Sequence, residues 1–274
     1  MMINNHYSKK WNTAFGKINI GIFKDNRLLG GAVFGNLMNT KSHKKITELG
    51  MDSVIELNRM WIDDELVKNA ESILISSSLK IIKKKYPHIK YVQSFADGRL
   101  GCGTIYKASN FKYFGHEKSL FFEDMDDGEV FHKVPLECTN RPQGFLKKNR
   151  RYLDDKLKAF YVKTYRYIYQ IDKNHKVKLK ELPYPEYEKG LEYVKHNHSI
   201  GLLVRLAIMY ESINDEKYYR KVINHLNELG YEEKEITDEF NKQNKNKSII
   251  WFKNKYITNE KNLHKIQDSR IMAT

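Results

Sequence analysis

Residues 53–62 read SVIELNRMWI, residues 69–86 read NAESILISSSLKIIKKKY, and residues 89–97 read IKYVQSFAD. The first and third stretches are short and rich in apolar, β-branched and aromatic residues, which predicts two strands. The middle stretch repeats its apolar and small residues at helical spacing, which predicts an amphipathic helix that ends before Pro87. Because a helix between two strands usually makes them parallel neighbours, this part of the chain predicts an α/β fold.

The flanking sequence extends this prediction in both directions. Asn19–Phe23 and Leu28–Phe34 read as a strand hairpin around the turn Asp25-Asn26. After residue 190 the pattern changes to amphipathic helices, over about residues 199–211, 215–229 and 232–244. We therefore expect a mixed twisted sheet flanked by helices in residues 1–187, and a small C-terminal helical appendage with a polar tail in residues 188–274.

Positive charge is concentrated in one segment of this 274-residue chain. Lysine and arginine number 48 against 34 aspartates and glutamates, which gives a net charge of +14 and a pI near 9.4. Residues 141–180 contain 13 basic and 3 acidic residues together with seven aromatic rings. Because cations neutralise phosphates and rings stack on unpaired bases, this segment favours a nucleic-acid surface. The alternative is a solvated, lysine-rich face.

The composition also excludes several classes of protein. With 41% hydrophobic residues and only 5 prolines, the chain is neither disordered nor collagen-like. Its apolar runs are too short for a membrane-spanning helix, and residues 1–10 are polar, unlike a signal peptide. Cys102 and Cys138 are too few for a disulfide framework. We therefore expect a cytoplasmic protein.

Two polar clusters precede the predicted helix. His6-Tyr7-Ser8 lies near the start of the chain and is either a reactive cluster or part of a disordered terminus. Glu56-Leu57-Asn58-Arg59-Met60-Trp61 lies on a strand, where alternation puts Glu56 and Asn58 on one face and Arg59 on the other. Polar side chains inside a strand either face water or form a paired site.

Two further clusters follow the predicted helix. Ser94-Phe95-Ala96-Asp97 ends a strand, where Asp97 is a general base, a metal ligand or only a turn cap. In residues 103–111, Tyr106 and Asn110 are four residues apart and would share one helical face. The phenol of Tyr106 is a proton donor, a stacking ring or part of the core. Because ligands collect at the carboxyl ends of parallel strands, Asp63, Asp97 and the glycine loop of residues 98–103 are expected to lie together.

In order along the chain, these clusters resemble the Mom-type phage DNA-modification proteins. The resemblance covers about the first 187 residues, and its most specific part is the Tyr106 segment, residues 103–115. The matching motifs are His6-Tyr7-Ser8, Gly21-Ile22-Phe23, Phe34-Gly35, Glu56-Leu57-Asn58-Arg59-Met60, Asn69-Ala70-Glu71-Ser72, Ser94-Phe95-Ala96-Asp97, residues 103–115, residues 163–169 and Leu182-Pro183-Tyr184-Pro185.

The resemblance implies a fold and an activity. The fold would be similar to that of the GNAT N-acetyltransferases. The activity would be a transfer of an acyl-derived, carbamoylmethyl-like group to the N6 amine of adenine in phage DNA. The product would protect the DNA from host restriction enzymes, so the protein would act in the bacterial host cytoplasm with DNA as its partner.

The resemblance also implies site residues and cofactors. The catalytic residues would be His6, Tyr7, Asp97 and Tyr106. The residues that bind substrate or cofactor would be Arg59, Asn69, Glu71, Ser72, Ser94 and Asn110. The predicted DNA-binding residues, taken from the basic segment, are Lys147, Lys148, Arg150, Arg151 and Arg166.

His6 and Asp97 would hold a metal, iron or another divalent ion, since histidine and carboxylate are common ligands for such ions. Acetyl-CoA is compatible with a GNAT-like fold, but residues 64–70 lack the glycines that usually bind its pyrophosphate. The sequence does not identify the donor of the transferred group.

Two other functions are compatible with the sequence. The first is a GNAT-fold N-acetyltransferase that acts on a small molecule or a protein, although this would leave the basic segment unexplained. The second is a DNA-binding or host-inhibiting protein without catalytic activity.

Overall fold

The structure, a computed structural model, describes residues 16–188 and 190–256. Its sheet contains eight strands in these ranges, in the order β1-β2-β3-β4-β7-β5-β6, with β8 paired to β7. The strands are β1 Ile18–Lys24, β2 Arg27–Gly35, β3 Val54–Ile62, β4 Tyr91–Asp97, β5 Lys112–Asp124, β6 Val130–His132, β7 Leu157–Gln170 and β8 Glu192–Val194.

Nine α-helices accompany the sheet in the described ranges. They are α1 His43–Ile46, α2 Ala70–Lys85, α3 Thr104–Ala108, α4 Val134–Glu137, α5 Pro142–Leu153, α6 Ile200–Ser212, α7 Glu216–Glu228, α8 Glu233–Asn244 and α9 Lys247–Tyr256. The predicted mixed α/β class, with helices flanking a sheet and further helices at the C-terminal end, is confirmed. None of the described helices is long and apolar enough to cross a lipid bilayer.

The β3-α2-β4 unit has the predicted parallel pairing, over residues 54–56 of β3 and 91–93 of β4. The buried face of α2 differs from the predicted stripe, because Ile73 is 50% and Ile81 is 37% exposed. Leu74 and Ile82, which belong to the predicted stripe, are buried as expected. Ile75 and Leu79 are buried in place of Ile73 and Ile81, so the buried face is rotated slightly relative to the prediction.

The structure divides the chain into two compact units. Unit 1 runs to Ser119 and continues over Val162–Leu191, and unit 2 contains Leu120–Tyr161 and the chain from Glu192 onward. The core of unit 1 packs α2 and α3 on the sheet. Its most enclosed side chains include Phe34, Ile75, Val92, Phe111 and Tyr167.

Unit 2 does not coincide with the predicted appendage of residues 188–274. Residues 120–161 belong to it as well, although the sequence placed them in a domain of residues 1–187. The reason is the apolar face of α5, where Phe145 and Leu146 are buried among residues of α6, α7 and α9. The predicted boundary near residue 187 therefore falls close to one of three chain crossings between the units.

Candidate active site

A cleft of about 320 Å³ opens in unit 1 where β3 and β4 separate. The two parallel strands pair only as far as Glu56 and Gln93. Beyond this point β3 stays paired with β2, and β4 stays paired with β7. The gap between the carboxyl ends of parallel strands is the usual ligand site of an open α/β sheet.

Three of the predicted site residues line this cleft, namely Arg59, Asp97 and Tyr106. Ser94 lies directly behind Tyr106. His6 and Tyr7 lie outside the described residues, so their predicted roles stay predictions. Asp63, which was expected beside Asp97, is not among the cleft residues, because the strands diverge before they reach it.

Tyr106 projects from α3 between the core and the cleft. Its ring is 9% exposed, with its centroid 5.1 Å from that of Tyr167 and 5.6 Å from that of Phe111. Its hydroxyl lies 2.9 Å from the hydroxyl oxygen of Ser94, which in turn lies 3.1 Å from the carbonyl oxygen of Leu57. The phenol is therefore fixed from behind by Ser94 while one side of the ring reaches the cleft.

Asp97 ends β4 at the rim of the cleft and is engaged by Arg99. The Nε of Arg99 donates to both carboxylate oxygens, at 2.9 and 3.1 Å, and the backbone N–H of Arg99 donates at 3.0 Å. A metal ion at Asp97 would have to compete with Arg99 for both carboxylate oxygens. Within the described part of the chain, moreover, no group of three His, Cys, Asp or Glu side chains has the spacing of a metal site.

The cleft contains residues that the sequence analysis did not select. Phe95 is half-buried, and its ring lies in the lining. The guanidinium carbon of Arg166 lies 5.5 Å from the centroid of this ring. Phe95 could have been found from strand alternation, because it shares a face of β4 with Asp97.

The opposite wall comes from β3, with two polar residues between the apolar Leu57 and Met60. Asn58 and Arg59 both line it, and an Nη of Arg59 donates a 2.6 Å hydrogen bond to the carbonyl oxygen of Asn58. These adjacent side chains both reach the cleft because β3 no longer pairs with β4 at this point.

The glycine loop has a structural role in this site. Gly103 has a φ of 92°, and a Cβ placed on it would come within 2.5 Å of the ring of Tyr167 and 3.1 Å of the Cβ of Ala96. The hydroxyl of Tyr167 also donates to the carbonyl oxygen of Cys102. Gly103 is therefore required for the loop to pack on the sheet, and it also lines the cleft together with Gly101.

Five of the six predicted binding residues lie outside the cleft lining, namely Asn69, Glu71, Ser72, Ser94 and Asn110. Asn69 is exposed at a φ of 69° before α2, and its side chain makes no capping hydrogen bond. Ser72 donates a hydrogen bond of 2.9 Å to the carbonyl oxygen of Asn69, and Glu71 belongs to the same turn. These three residues form the start of α2 rather than the cleft wall.

Asn110 does not share a helical face with Tyr106, contrary to the prediction from their spacing. Helix α3 ends at Ala108, and Asn110 has a left-handed φ of 61°. It lines a separate cavity of about 780 Å³ in unit 1, together with residues of α2 and β7. The helix is simply too short to reach it.

A buried carboxyl group lies behind the wall that β3 contributes to the cleft. Glu56 is 5% exposed and accepts hydrogen bonds from Asn58 at 3.1 Å and from Gln93 at 3.0 Å. Burial raises the pKa of Glu56, against the opposing effect of these hydrogen bonds. Glu56 is thus a positioning residue for Asn58 at the cleft wall.

Two of the four tyrosines of β7 belong to the buried core. Tyr165 and Tyr167 are 3% and 1% exposed, and burial raises the pKa of both. The sequence suggested that these rings stack on unpaired bases. They cannot do so, because their faces pack against Tyr113 and Tyr106.

Two predicted DNA-binding residues, Arg150 and Arg151, are held by carboxylates in unit 2. Arg150 binds Asp215 at 2.7 Å, and the side chain of Asp215 makes no capping hydrogen bond to α7. Arg151 binds Asp124 at 2.8 Å and Asp126 at 2.6 Å. These pairs give both arginines a structural role that charge counting missed.

Of the three other predicted DNA-binding cations, two are paired with carboxylates and one is exposed. Lys148 pairs with Glu129 and lies 4.2 Å from the ring centroid of Phe131. In unit 1, Arg166 binds Glu117 at 2.7 Å. Lys147, by contrast, is exposed on α5. Its role in DNA binding stays a prediction.

A cleft between diverging parallel strands, with a phenol, a carboxylate and a guanidinium in its lining, is typical of α/β proteins that bind small ligands. The sequence model of the Mom protein family matches residues 1–186, and the chain belongs to this family. The methylcarbamoylase mom of Escherichia phage Mu is 34% identical over 192 residues. That alignment covers 66% of this chain and 76% of the phage Mu protein.

Among solved structures, an N-acetyltransferase from Staphylococcus aureus Mu50 is similar to part of the chain. The superposition covers 56% of this chain and 66% of that structure, slightly less than two thirds of its length. The TM-score is 0.34 and the sequence identity is 14%. The GNAT-like assignment therefore stays a prediction.

Proposed function

We propose that this protein is a phage-encoded DNA-modifying transferase. It adds an acyl-derived, carbamoylmethyl-like group to the N6 amine of adenine and so protects the DNA from host restriction. The observation that carries this proposal is the match to the Mom family over residues 1–186, with Arg59, Asp97 and Tyr106 around one cleft. The phage Mu relative is named a methylcarbamoylase, which supports a transfer of this class of group.

The proposed reaction requires a proton transfer and the binding of a single adenine base in the cleft. The lone pair of adenine N6 is delocalised into the ring, so the amine must lose a proton as it attacks an activated donor. The new N6–C bond forms while the donor's bond to its leaving group breaks. Tyr106 and Asp97 are the titratable groups in the lining to which we assign this proton transfer.

Binding of the adenine requires access to a single base. Because N6 is enclosed within a duplex, the base must be flipped out or presented on a single strand. We assign Phe95 as the stacking ring, since it is half-buried in the lining and lies on the same strand as Asp97. Arg59 supplies positive charge on the opposite wall.

The predicted metal and cofactor are not used in this mechanism. The binding of Asp97 by Arg99 does not suit a metal ligand. We therefore assign no step to a metal ion. Acetyl-CoA stays a prediction from the resemblance.

Contacts with the DNA backbone are assigned to the exposed lysines of residues 141–180. Lys147 and Lys173 are exposed and have no carboxylate partner within the described ranges. Phosphate contacts of this kind supply affinity that falls as salt rises. Arg150 and Arg151 are not assigned to DNA binding, because their ion pairs with carboxylates stabilise unit 2.

The first test is nucleoside mass spectrometry on plasmid DNA from cells that express the chain. We expect a heavier deoxyadenosine from the wild type, and loss of this product in Tyr106→Phe and Asp97→Asn. Tyr106→Phe removes one buried hydrogen bond and keeps the ring, so it costs about 1 kcal/mol of stability. The mass difference identifies the transferred group.

The matched control is Tyr113→Phe. Tyr113 is 5% exposed in the same group of rings, outside the cleft lining, and its hydroxyl lies 3.0 Å from the Nδ1 of His116. We expect this variant to modify DNA at the wild-type level. Unmodified DNA from soluble wild-type protein would contradict the function, whereas wild-type activity of Tyr106→Phe and Asp97→Asn would contradict only the site.

A further inference from the structure

A second cavity, of about 840 Å³, lies entirely within unit 2. Its walls come from β7, β8, the segment after β8 and one side of α7. More than half of its lining residues follow residue 186, where the match to the Mom family ends. The cavity shares no lining residue with the cleft of unit 1.

Aromatic rings form one wall of this cavity. Tyr152 stacks on His198 with ring centroids 3.7 Å apart and an angle of 23°. Phe122 meets His196 edge to face at 5.3 Å. Tyr193 also lines the cavity and is 54% exposed. Exposed and half-buried rings of this kind offer a surface for a planar ligand.

The ring behind Tyr152 is neutral, and its tautomer is fixed. Asn149 donates through its amide nitrogen to the carbonyl oxygens of Leu136 and Phe145, at 3.1 and 2.8 Å. Its amide oxygen therefore accepts from the Nε2 of His198, at 2.9 Å. Burial lowers the pKa of His198 to about 3, so the ring is uncharged at neutral pH.

Positive charge lies beside the rings. Lys158 and Lys195 line the cavity and are exposed. Lys221 also lines it but donates to Asp154 at 2.6 Å. The lining carboxylates are Asp155 and Glu228. Rings next to two exposed ammonium groups match a ligand that combines a flat group with an anion.

We propose that this cavity binds a nucleoside phosphate, with its base on Tyr193 and His196 and its phosphate at Lys158 and Lys195. The volume lies within the range of about 300–1,000 Å³ that is usual for small-ligand sites. The cavity of unit 1 that contains Asn110 is less suitable, because Tyr169 is its only ring among the described residues. The ligand is either a free nucleotide or a nucleotide within a DNA strand.

The experiment measures binding to the full chain by titration calorimetry at fixed salt. The two probes are free dAMP and a single-stranded oligonucleotide. The variants are Lys158→Ala/Lys195→Ala and Tyr193→Leu, which change exposed side chains. The matched control is Lys234→Ala/Lys245→Ala, which removes the same charge from exposed positions of unit 2 outside the cavity.

We expect the cavity variants to weaken binding by about 10-fold, equivalent to about 1.4 kcal/mol, with little effect of the control. Loss of dAMP binding would identify a free nucleotide, and loss confined to the oligonucleotide would identify a DNA strand. Equal effects of the cavity variants and the control, or no binding of either probe, would overturn the proposal. The measurement does not require DNA modification, so it stands apart from the test of the cleft.

Discussion

Glu56 shows how single residues shape the cleft. Its carboxyl group is enclosed between β3 and β4 at the last pair before the strands separate. It accepts hydrogen bonds from Asn58 and Gln93, so it fixes the first polar residue of the cleft wall. Burial raises its pKa above the ordinary value of 4.5, because the ionised form is poorly solvated there.

The pKa of Glu56 predicts a pH dependence of stability. Below 4.5 the group is protonated in both the folded and the unfolded chain. As the pH rises, the unfolded chain ionises first, so the group's contribution to stability is lost up to the folded-state pKa. We expect the free energy of unfolding of wild type minus that of Glu56→Gln, from urea titrations, to fall from acidic to neutral pH. A difference that does not change with pH would contradict the burial of this carboxyl.

At the scale of an element, α5 shows how a basic helix serves the fold. Its buried face contains Phe145, Leu146 and Asn149, while arginines and lysines occupy the remainder. Arg150 is 13% exposed in its side chain and pairs with Asp215, which is 4% exposed. Part of the positive charge of α5 is thus paired with carboxylates within unit 2 and is not exposed to a binding partner.

The pairing of α5 predicts different effects for neighbouring cations. Arg150→Ala removes the ion pair with the buried carboxylate of Asp215, and we expect a loss of about 3 kcal/mol in the free energy of unfolding. Lys147→Ala changes an exposed side chain, and we expect a change within about 0.5 kcal/mol. Urea denaturation of both variants is the measurement. Similar losses in the two would mean that the pair with Asp215 contributes little.

At the scale of the whole molecule, the chain forms two units with separate apolar cores. The core of unit 1 packs α2 and α3 on the sheet, and the core of unit 2 packs α5 with α6, α7 and α9. The chain leaves unit 1 after Ser119, contributes residues 120–161 to unit 2, and returns to unit 1 at Val162. Unit 2 is therefore discontinuous in sequence.

This organisation predicts that a fragment of residues 1–187 will not fold like the full chain. The fragment retains α5 but lacks the helices that bury Phe145 and Leu146, which are each 1% exposed. Exposed apolar surface of this kind promotes association. We expect strong binding of a hydrophobic dye and aggregation in size-exclusion chromatography, compared with the full chain. A monomeric fragment that unfolds cooperatively would restore the boundary predicted from sequence.

The sequence by itself determined the features that depend on local pattern. The β3-α2-β4 unit, the β1–β2 hairpin and helices α6, α7 and α8 follow from periodicity and turn residues. At the hairpin turn, for example, Asp25 and Asn26 have the positive φ values of 49° and 58° that their position predicts. The motifs around Arg59, Asp97 and Tyr106 also identified three residues that line one cleft.

The tertiary structure alone decided which distant residues become partners. The separation of β3 from β4, the ion pair between Arg150 and Asp215, and the place of α5 in unit 2 each join residues far apart in the chain. A count of charges cannot show which cations are neutralised, and helical spacing cannot show that α3 ends before Asn110. These outcomes depend on the competition of many weak contacts for burial, which is a property of the packed chain and not of any local stretch.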